Sequence, residues 1–463
     1  MKPDEKHKEN VQIAYIGGGS RGWAWGLMSD LAAESELAGN VKLYDIHYES
    51  AAQNAIIGNR LSQATDTKGK WSYEAVPALQ DALQGADFII ISILPGTFAE
   101  MESDVHLPEE YGIYQSVGDT VGPGGLVRAL RTIPLYVEIA NAIKQYAPDA
   151  WVINYTNPMT LCTRTLYEVF PEVKAIGCCH EVFGTQHLLA SMVEKKLGVP
   201  SVDRRDIKVN VLGINHFTWL DRASYQGIDL FPLYKEFVEE HYAEGYEGKK
   251  KGHWLNDHFA SAQRVKFDLF RKYGIIAAAG DRHLEEFMPG ELYLKNPETV
   301  QSWKFSLTKV DWRKKNQAEL YAKGQRLATG EEAFEVKPTG EEGIEMIKAL
   351  LGMGELITNV NMPNRGQIEG LPAGAVVETN AVFGYNRVSP IVAGRLIPEV
   401  EQLVLPHVIN QEMTLQAALN KDKALAFQAF MNDPLVSLPN HAGAALFEKM
   451  LQNTKSMLPG WDL

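Results

Sequence analysis

Residues 11–22 restrict the fold more than any other stretch of the chain. Val11–Ile16 is a short apolar strand candidate, Gly17-Gly18-Gly19-Ser20-Arg21-Gly22 follows at once and satisfies G-x-G-x-x-G, and Trp23–Ala33 then reads as a helix. Strand, glycine turn and helix in that order form the dinucleotide-binding fingerprint. Gly17, Gly19 and Gly22, with Ser20 in the turn, let the backbone bend tightly and approach a pyrophosphate, whose charge the helix N-terminus meets with N–H donors and a positive dipole. A second strand, residues 41–44, runs into Asp45, 23 residues beyond Gly22. That is the neighbourhood of the acid that holds a ribose 2′-hydroxyl, which favours NAD over NADP.

Strand and helix keep alternating. Residues 86–94 are nearly all apolar, as expected of a parallel strand buried on both faces, and Pro95-Gly96 breaks them. A helix pattern over 131–146 leads to a strand from Trp151 that ends in the turn Asn157-Pro158. The expected fold is α/β: a Rossmann-type doubly wound sheet over residues 1–200 that binds NAD, followed by an α+β domain over 201–463 for substrate and oligomerisation. Ligands then gather at the carboxyl ends of the strands, with Asn157 and Cys179 on one rim. Residues 311–337 are strongly charged and predict an exposed helix and connector, and the stretch from Pro398 onward has the spacing of helices that pack on a core or on another subunit.

Composition narrows the partners. A net charge of −13 disfavours a phosphate backbone, so nucleic acid is excluded and Lys249-Lys250-Lys251 reads as a solvated loop. No run approaches the ~18 apolar residues that cross a bilayer, and the charged first ten residues carry no export signal. Three cysteines, Cys162, Cys178 and Cys179, make no disulfide framework and suit a reducing cytoplasm.

Two of those cysteines begin the densest chemical cluster. Gly-Cys178-Cys179-His180-Glu181-Val-Phe-Gly184 ends a short apolar run at what reads as a strand-to-helix turn, where helix-start N–H groups favour thiolate and anions. Small buried hydrophobes and a core histidine fit the same residue types. The glycine-dense loop 111–125 carries Asp119 and has the composition of either an active-site loop or a plain surface turn. His216 follows Cys179 by 37 residues in Gly-Ile-Asn-His, after a strand over 207–212. A small-residue strand over 274–279 runs into Gly280-Asp281-Arg282-His283-Leu284-Glu285-Glu286.

Taken together, the glycine-rich start, Asn-Tyr-Thr-Asn157-Pro, Gly-Cys-Cys-His-Glu-Val, Gly-Ile-Asn-His and the late Asn361–Gly374 and Val377-Glu378 segments resemble glycoside hydrolase family 4 from about residue 11 to about residue 398. The resemblance implies a fold similar to lactate and malate dehydrogenases, and dependence on NAD and a divalent transition metal, usually Mn2+. Family 4 is an exception to the two-carboxylate scheme of glycosidases. Its chemistry oxidises sugar C3, removes the C2 proton, eliminates the leaving group, adds water and returns the hydride. Carried over, Cys179 and His216 are the metal ligands, one soft and one borderline. Phosphosugar members place a Tyr as base and an Asp after the metal Cys; here the base candidate is Asp281 and the second position is His180, an acid or substrate ligand. Asp119 aligns with a family acidic residue.

Cys-His-Glu-Val looks like the subgroup acting on α-galacturonides. Arg282 and His283 are then candidate partners of the uronate carboxylate, or equally of Glu285 and Glu286 in a structural network. Asn157 is expected at the substrate. The partner is thus a uronide or other glycoside, and the assembly a homodimer or homotetramer. Within the family, α-glucosides, α-galactosides and α-glucuronides are the alternatives. Outside it stand an NAD-dependent hydroxy-acid dehydrogenase, which needs no metal-binding Cys, and an NAD-sensing protein, which has no use for Cys179, His216 and Asp281 together.

Overall fold

The structure, a computed structural model, describes residues 9–247 and 261–463, so the Lys249-Lys250-Lys251 run lies outside the described residues. Six parallel strands appear in the first half: β1 (Val11–Ile16), β2 (Ala38–Tyr44), β3 (Lys70–Ala75), β4 (Phe88–Ile91), β5 (Trp151–Asn154) and β6 (Lys174–Gly177). Their order, β3-β2-β1-β4-β5-β6, is that of the doubly wound dinucleotide fold expected above. Alternate residues of β1 feed two cores. Val11, Ile13 and Tyr15 pack with Trp25, Met28 and Leu31 of helix Trp23–Ala33, while Ala14 and Ile16 pack with Tyr136, Ile139 and Ile143 of helix Gly122–Tyr146. A strand buried on both faces needs apolar side chains in both phases of its period-two pattern, and β1 and β4 supply them.

The sheet does not stop at the first 200 residues. After β7 (Ile207–Ile214), β8 (Phe217–Tyr225), β9 (Ile228–Asp229) and β10 (Ile276–Ala277), which form a separate four-stranded sheet, the chain returns. Strands β11 (Leu356–Pro363), β13 (Val376–Gly384) and β14 (Arg387–Pro390), with the short β12 (Ile368–Glu369) between the first two, extend the first sheet antiparallel beyond β6 to nine strands. Gly177 of β6 pairs with Asn361 of β11, and a Cβ at Gly177 would meet Met159, Asn361 and Thr163 within 2.9 Å. The late Asn361 motif is therefore built against the Cys-Cys-His turn.

The helices from Pro398 onward pack on the chain's own core. Val400, Val404 and Leu415 of helix Pro398–Asn420 join Val127 and Leu130 of helix Gly122–Tyr146 and Phe217 and Trp219 of β8 in one buried cluster. No helix among the described residues is long and apolar enough to cross a membrane.

One buried ion pair ties the rim loops together. Arg131 donates Nη1 to Asp104 Oδ1 at 3.0 Å, Nη2 to Asp104 Oδ2, and Nε to the Pro95 carbonyl at 2.9 Å. Both side chains are buried, so removing one partner leaves the other charge uncompensated. Asp104→Ala is expected to lower unfolding stability by about 3 kcal/mol or more in a urea titration; a loss under about 1 kcal/mol would show that the pair is not holding helices Phe98–His106 and Gly122–Tyr146 together.

Candidate active site

A cleft of about 1610 Å³ opens at the carboxyl ends of β1, β4 and β5. Its walls include Gly17, Gly19, Ser20, Asp45, Asp119, Asn157, His180, His216, Arg282 and His283, so most of the expected site residues converge on one space.

At one end the glycine turn is built as a cradle. Gly17 has φ +93°, and a Cβ there would lie 2.0 Å from the Ser92 carbonyl oxygen; a Cβ on Gly19 would lie 2.8 Å from Asp45 Oδ2. No side chain caps the helix that starts after Gly22, so its first N–H groups remain for an anion. Asp45 accepts from Gly19 N and His47 N, both at 2.9 Å, which fixes the carboxylate at the mouth of the cradle. Asn54, which sequence reading passed over, clamps the turn from inside: its Nδ2 donates to Gly18 O at 2.8 Å and Ser20 O at 2.9 Å, while Trp25 Nε1 donates to its Oδ1. The only hint in the sequence is an amide within the apolar stripe of helix Tyr48–Leu61. This end fits a dinucleotide.

At the other end the ligand atoms of Asp119, His216 and His283 all lie within 4.8 Å of one another. His216 is reached through a tight turn between β7 and β8, and its φ of +65° is the left-handed conformation that non-glycine residues rarely adopt. Thr120 Oγ1 lies 3.0 Å from His216 Nδ1 and donates to Asp119 Oδ1 at 2.8 Å, orienting both. The two imidazoles stack with centroids 3.7 Å apart. Burial and the neighbouring His283 pull His216 down to about 3, so it stays neutral, as a metal ligand must be. His283 Nδ1 is buried with no hydrogen-bond partner. Burial opposes ionisation of Asp119, but Arg128, His283 and His216 together hold it at about 2. An anionic oxygen and two neutral imidazole nitrogens suit a transition metal.

Between the two ends lies a band of acid–base groups. His180 Nδ1 sits 3.0 Å from Glu341 Oε1, and its Nε2 lies 3.7 Å from Glu181 Oε1. Burial works against the imidazolium, yet Glu341 and then Glu181 raise His180 to about 9. Glu181 is likewise disfavoured by burial and carried down to about 2 by His283, His180 and His216; its Oε2 accepts from Gly280 N at 2.7 Å. Glu341, on the segment that follows helix Val310–Thr329, has no signal in the sequence.

Several of the expected residues sit outside this arrangement. Cys179 does not share the group formed by Asp119, His216 and His283. It is buried; burial, then Glu378 and Glu181, push its thiol well above its usual range, overriding the helix-start N–H of Glu181. Glu378 itself is raised to about 7 by burial and is held by Asn359 Nδ2 at 2.7 Å and Asn215 Nδ2 at 3.3 Å. Asp281 turns away from the cleft: it is fully buried and accepts from Val265 N and Lys266 N, at the start of helix Arg264–Tyr273. Within the short helix Asp281–Leu284 residues advance about 100° each, so Asp281 and His283 point to different sides, and His283 takes the cleft.

Arg282, expected either at the uronate carboxylate or in a network with Glu285 and Glu286, ties two loops together. It donates Nε to Ser306 O at 2.8 Å, and Nη2 to Ser116 O at 2.6 Å and to Thr308 Oγ1. Behind it Glu286 accepts from Val117 N and Gly118 N, holding the loop that carries Asp119. Helix Val310–Thr329 is not a mere connector, since Trp312, Arg313, Asn316 and Tyr321 line the cleft.

The comparisons with known proteins agree with one another. The model of the family described as family 4 glycosyl hydrolase matches residues 12–195, and that of the family's C-terminal domain matches residues 211–436. An α-galacturonidase of Thermoanaerobacterium saccharolyticum (strain DSM 8691 / JW/SL-YS485) is 62% identical over 463 residues, covering 100% of both chains. The crystal structure of a putative glucosidase from Bacillus subtilis superposes with a TM-score of 0.90 at 55% identity, over 96% of this chain and 100% of that one. A 6-phospho-α-glucosidase from gut microorganisms, solved in complex with NAD and Mn2+, has the same fold at TM-score 0.80 and 19% identity, over 98% and 100% of the two chains.

His216→Ala and His283→Ala are expected to weaken Mn2+ binding more than about tenfold by calorimetry, with dinucleotide binding unchanged. Cys178→Ser should bind the ion normally. Cys179→Ser decides the donor set: unchanged ion affinity leaves the thiol outside it, and a loss equal to that of His216→Ala brings it in. At the other end, Asn54→Ala removes two hydrogen bonds to the glycine turn and should lower dinucleotide affinity about tenfold in a fluorescence titration, without affecting the ion. An unchanged affinity would mean that the turn holds its shape alone.

Proposed function

The chain belongs to family 4 of the glycosyl hydrolases and is a glycosidase; within that family we propose that it cleaves α-galacturonides, with NAD and a divalent transition metal, manganese foremost, as cofactors. The observation that carries this reading is a single cleft whose two ends fit a dinucleotide and a metal ion, in a chain 62% identical along its whole length to an α-galacturonidase. A plain hydroxy-acid dehydrogenase has no need of the second end.

Gly17, Gly19, Ser20 and Gly22 would hold the pyrophosphate and Asp45 the ribose. Asp119, His216 and His283 would hold the ion, with Cys179 a further donor only by resemblance. When bound, the two cofactors supply a reversible hydride acceptor and a Lewis acid. The chain's own side chains do the rest. Asn157, whose Nδ2 donates to Asp119 Oδ2 at 3.3 Å and whose buried Oδ1 has no partner, is placed to take a sugar hydroxyl. His180, oriented through Nδ1 by Glu341, presents Nε2 as the proton donor to the glycosidic oxygen, because flanking carboxylates keep its imidazolium through neutral pH. Glu181 and Glu341, which flank His180 at 3.7 and 3.0 Å, would be the carboxylates to receive a proton from sugar C2. Asp281 serves the fold through helix Arg264–Tyr273 rather than the reaction.

A panel of p-nitrophenyl glycosides and uronides, assayed with NAD, Mn2+ and a reducing agent, should show α-galacturonide cleaved roughly ten- to two-hundred-fold better than neutral α-galactoside or α-glucoside, the worth of one charge-assisted contact. Solvent deuterium should enter the product at C2, with no build-up of NADH. Preference for a neutral or 6-phosphorylated glycoside would overturn the substrate class, and turnover in protein stripped of nicotinamide would overturn the redox cycle.

A further inference from the structure

Resting on the galacturonide reading, we propose that Arg313, with Arg128, forms the subsite for the uronate carboxylate at sugar C6. The cationic side chains of the cleft separate by what they face. Arg21 belongs to the dinucleotide end: its Nη2 donates to Gln53 at 3.0 Å, its guanidinium lies 3.5 Å over the Tyr321 ring, and it feels Asp45. Arg282 is the tie between the Ser116 and Ser306 loops described above. Arg128 and Arg313 both line the cleft, and for both the strongest attraction comes from Asp119, the carboxylate of the ion group. Arg128 also donates Nε to the Asn157 carbonyl at 3.1 Å, which places it beside the proposed sugar contact.

Helix Val310–Thr329 sets the direction. Arg313 and Tyr321 are eight residues apart, about 12 Å along a helix axis, so one helix serves both ends of the cleft: Tyr321 at the dinucleotide, Arg313 at the sugar. Burial brings Arg313 down to about 10, with Arg282 and Arg128 adding repulsion. Three guanidinium groups thus converge around Asp119, which the ion group already uses. Glu285 and Glu286 offset them little, because burial, with Glu286 beside it, pushes Glu285 well above the usual carboxylate range and burial raises Glu286 to about 8. A guanidinium that lines the cleft beside the proposed ion group offers a planar pair of donors that matches a carboxylate.

The test uses the full-length protein with NAD and Mn2+. Arg313→Gln should lower kcat/KM for p-nitrophenyl α-galacturonide by about ten- to a hundredfold, chiefly through KM, while changing that for p-nitrophenyl α-galactoside less than about threefold. Arg313→Lys should fall between. Competitive inhibition by free galacturonate should weaken in parallel, with NAD and Mn2+ affinities unchanged. A wild-type preference for galacturonide that survives intact in Arg313→Gln overturns the assignment of Arg313 and leaves the substrate class standing. A matching fall in NAD affinity, with the uronide-to-neutral ratio unchanged, reassigns Arg313 to a cofactor phosphate and equally overturns it. Wild-type protein that prefers the neutral glycoside overturns both readings.

Discussion

A parallel sheet covered by helices on both faces leaves polar chemistry one outlet, the rim where its strands end. Every feature of the site follows from that constraint. Strands β1 and β4 are apolar on both sides, and Gly17 and Ser92 come directly after them, with their amides still bonded to Tyr44 O and Ile16 O, so the chain first turns away from the sheet at this rim. Their close approach, which a Cβ on Gly17 would block at 2.0 Å, keeps the dinucleotide turn open. Asn157 and the Cys178–His180 turn follow β5 and β6 on the same rim.

The second half of the chain completes the rim. The β7–β8 turn contributes His216, the turn after β10 contributes His283, and helix Val310–Thr329 lies across both ends of the cleft. Strands β11 and β13 extend the first sheet and bring Asn359 and Glu378 against Cys179, so the Cys-Cys-His turn is packed between the halves. This explains why so many polar groups in the region are buried. They are tied to one another: Glu286 to the Val117 and Gly118 amides, Glu181 to the Gly280 amide, Lys266 to Thr185. Each such bond makes the burial of a polar group tolerable and fixes a loop that carries a site residue.

Electrostatics divides the cleft by function. Asp119 remains anionic beside Arg128 and Glu181 beside the His180 imidazolium; His180 remains cationic through Glu341; His216 and His283 are held toward neutrality by burial. Environments that separate titrating groups in this way distinguish ligands from proton carriers.

Local pattern was enough for the fold and for half of the site. The glycine turn with Asp45 is a contiguous signal whose geometry is set within two strands and two helices, and the apolar phases of β1 and β4 dictate a doubly wound sheet. The ordered motifs carried the family. What local pattern cannot encode is the direction of a side chain whose neighbours come from elsewhere in the chain. Asp281 and His283 are two residues apart, and only packing against helix Arg264–Tyr273 turns one inward and the other to the cleft. Arg282 reads as a free cation until the Ser116 and Ser306 carbonyls are placed beside it. Arg313 and Glu341 sit in charged segments that look solvated, because the cleft they face is assembled from residues up to some three hundred positions away. Motifs, glycine geometry and apolar period were settled by sequence alone, since they depend on near neighbours; which side chains stand together at the ion end, beside His180 and around Asp119 was decided by tertiary structure, since charge and hydrogen bonding depend on who is near in space.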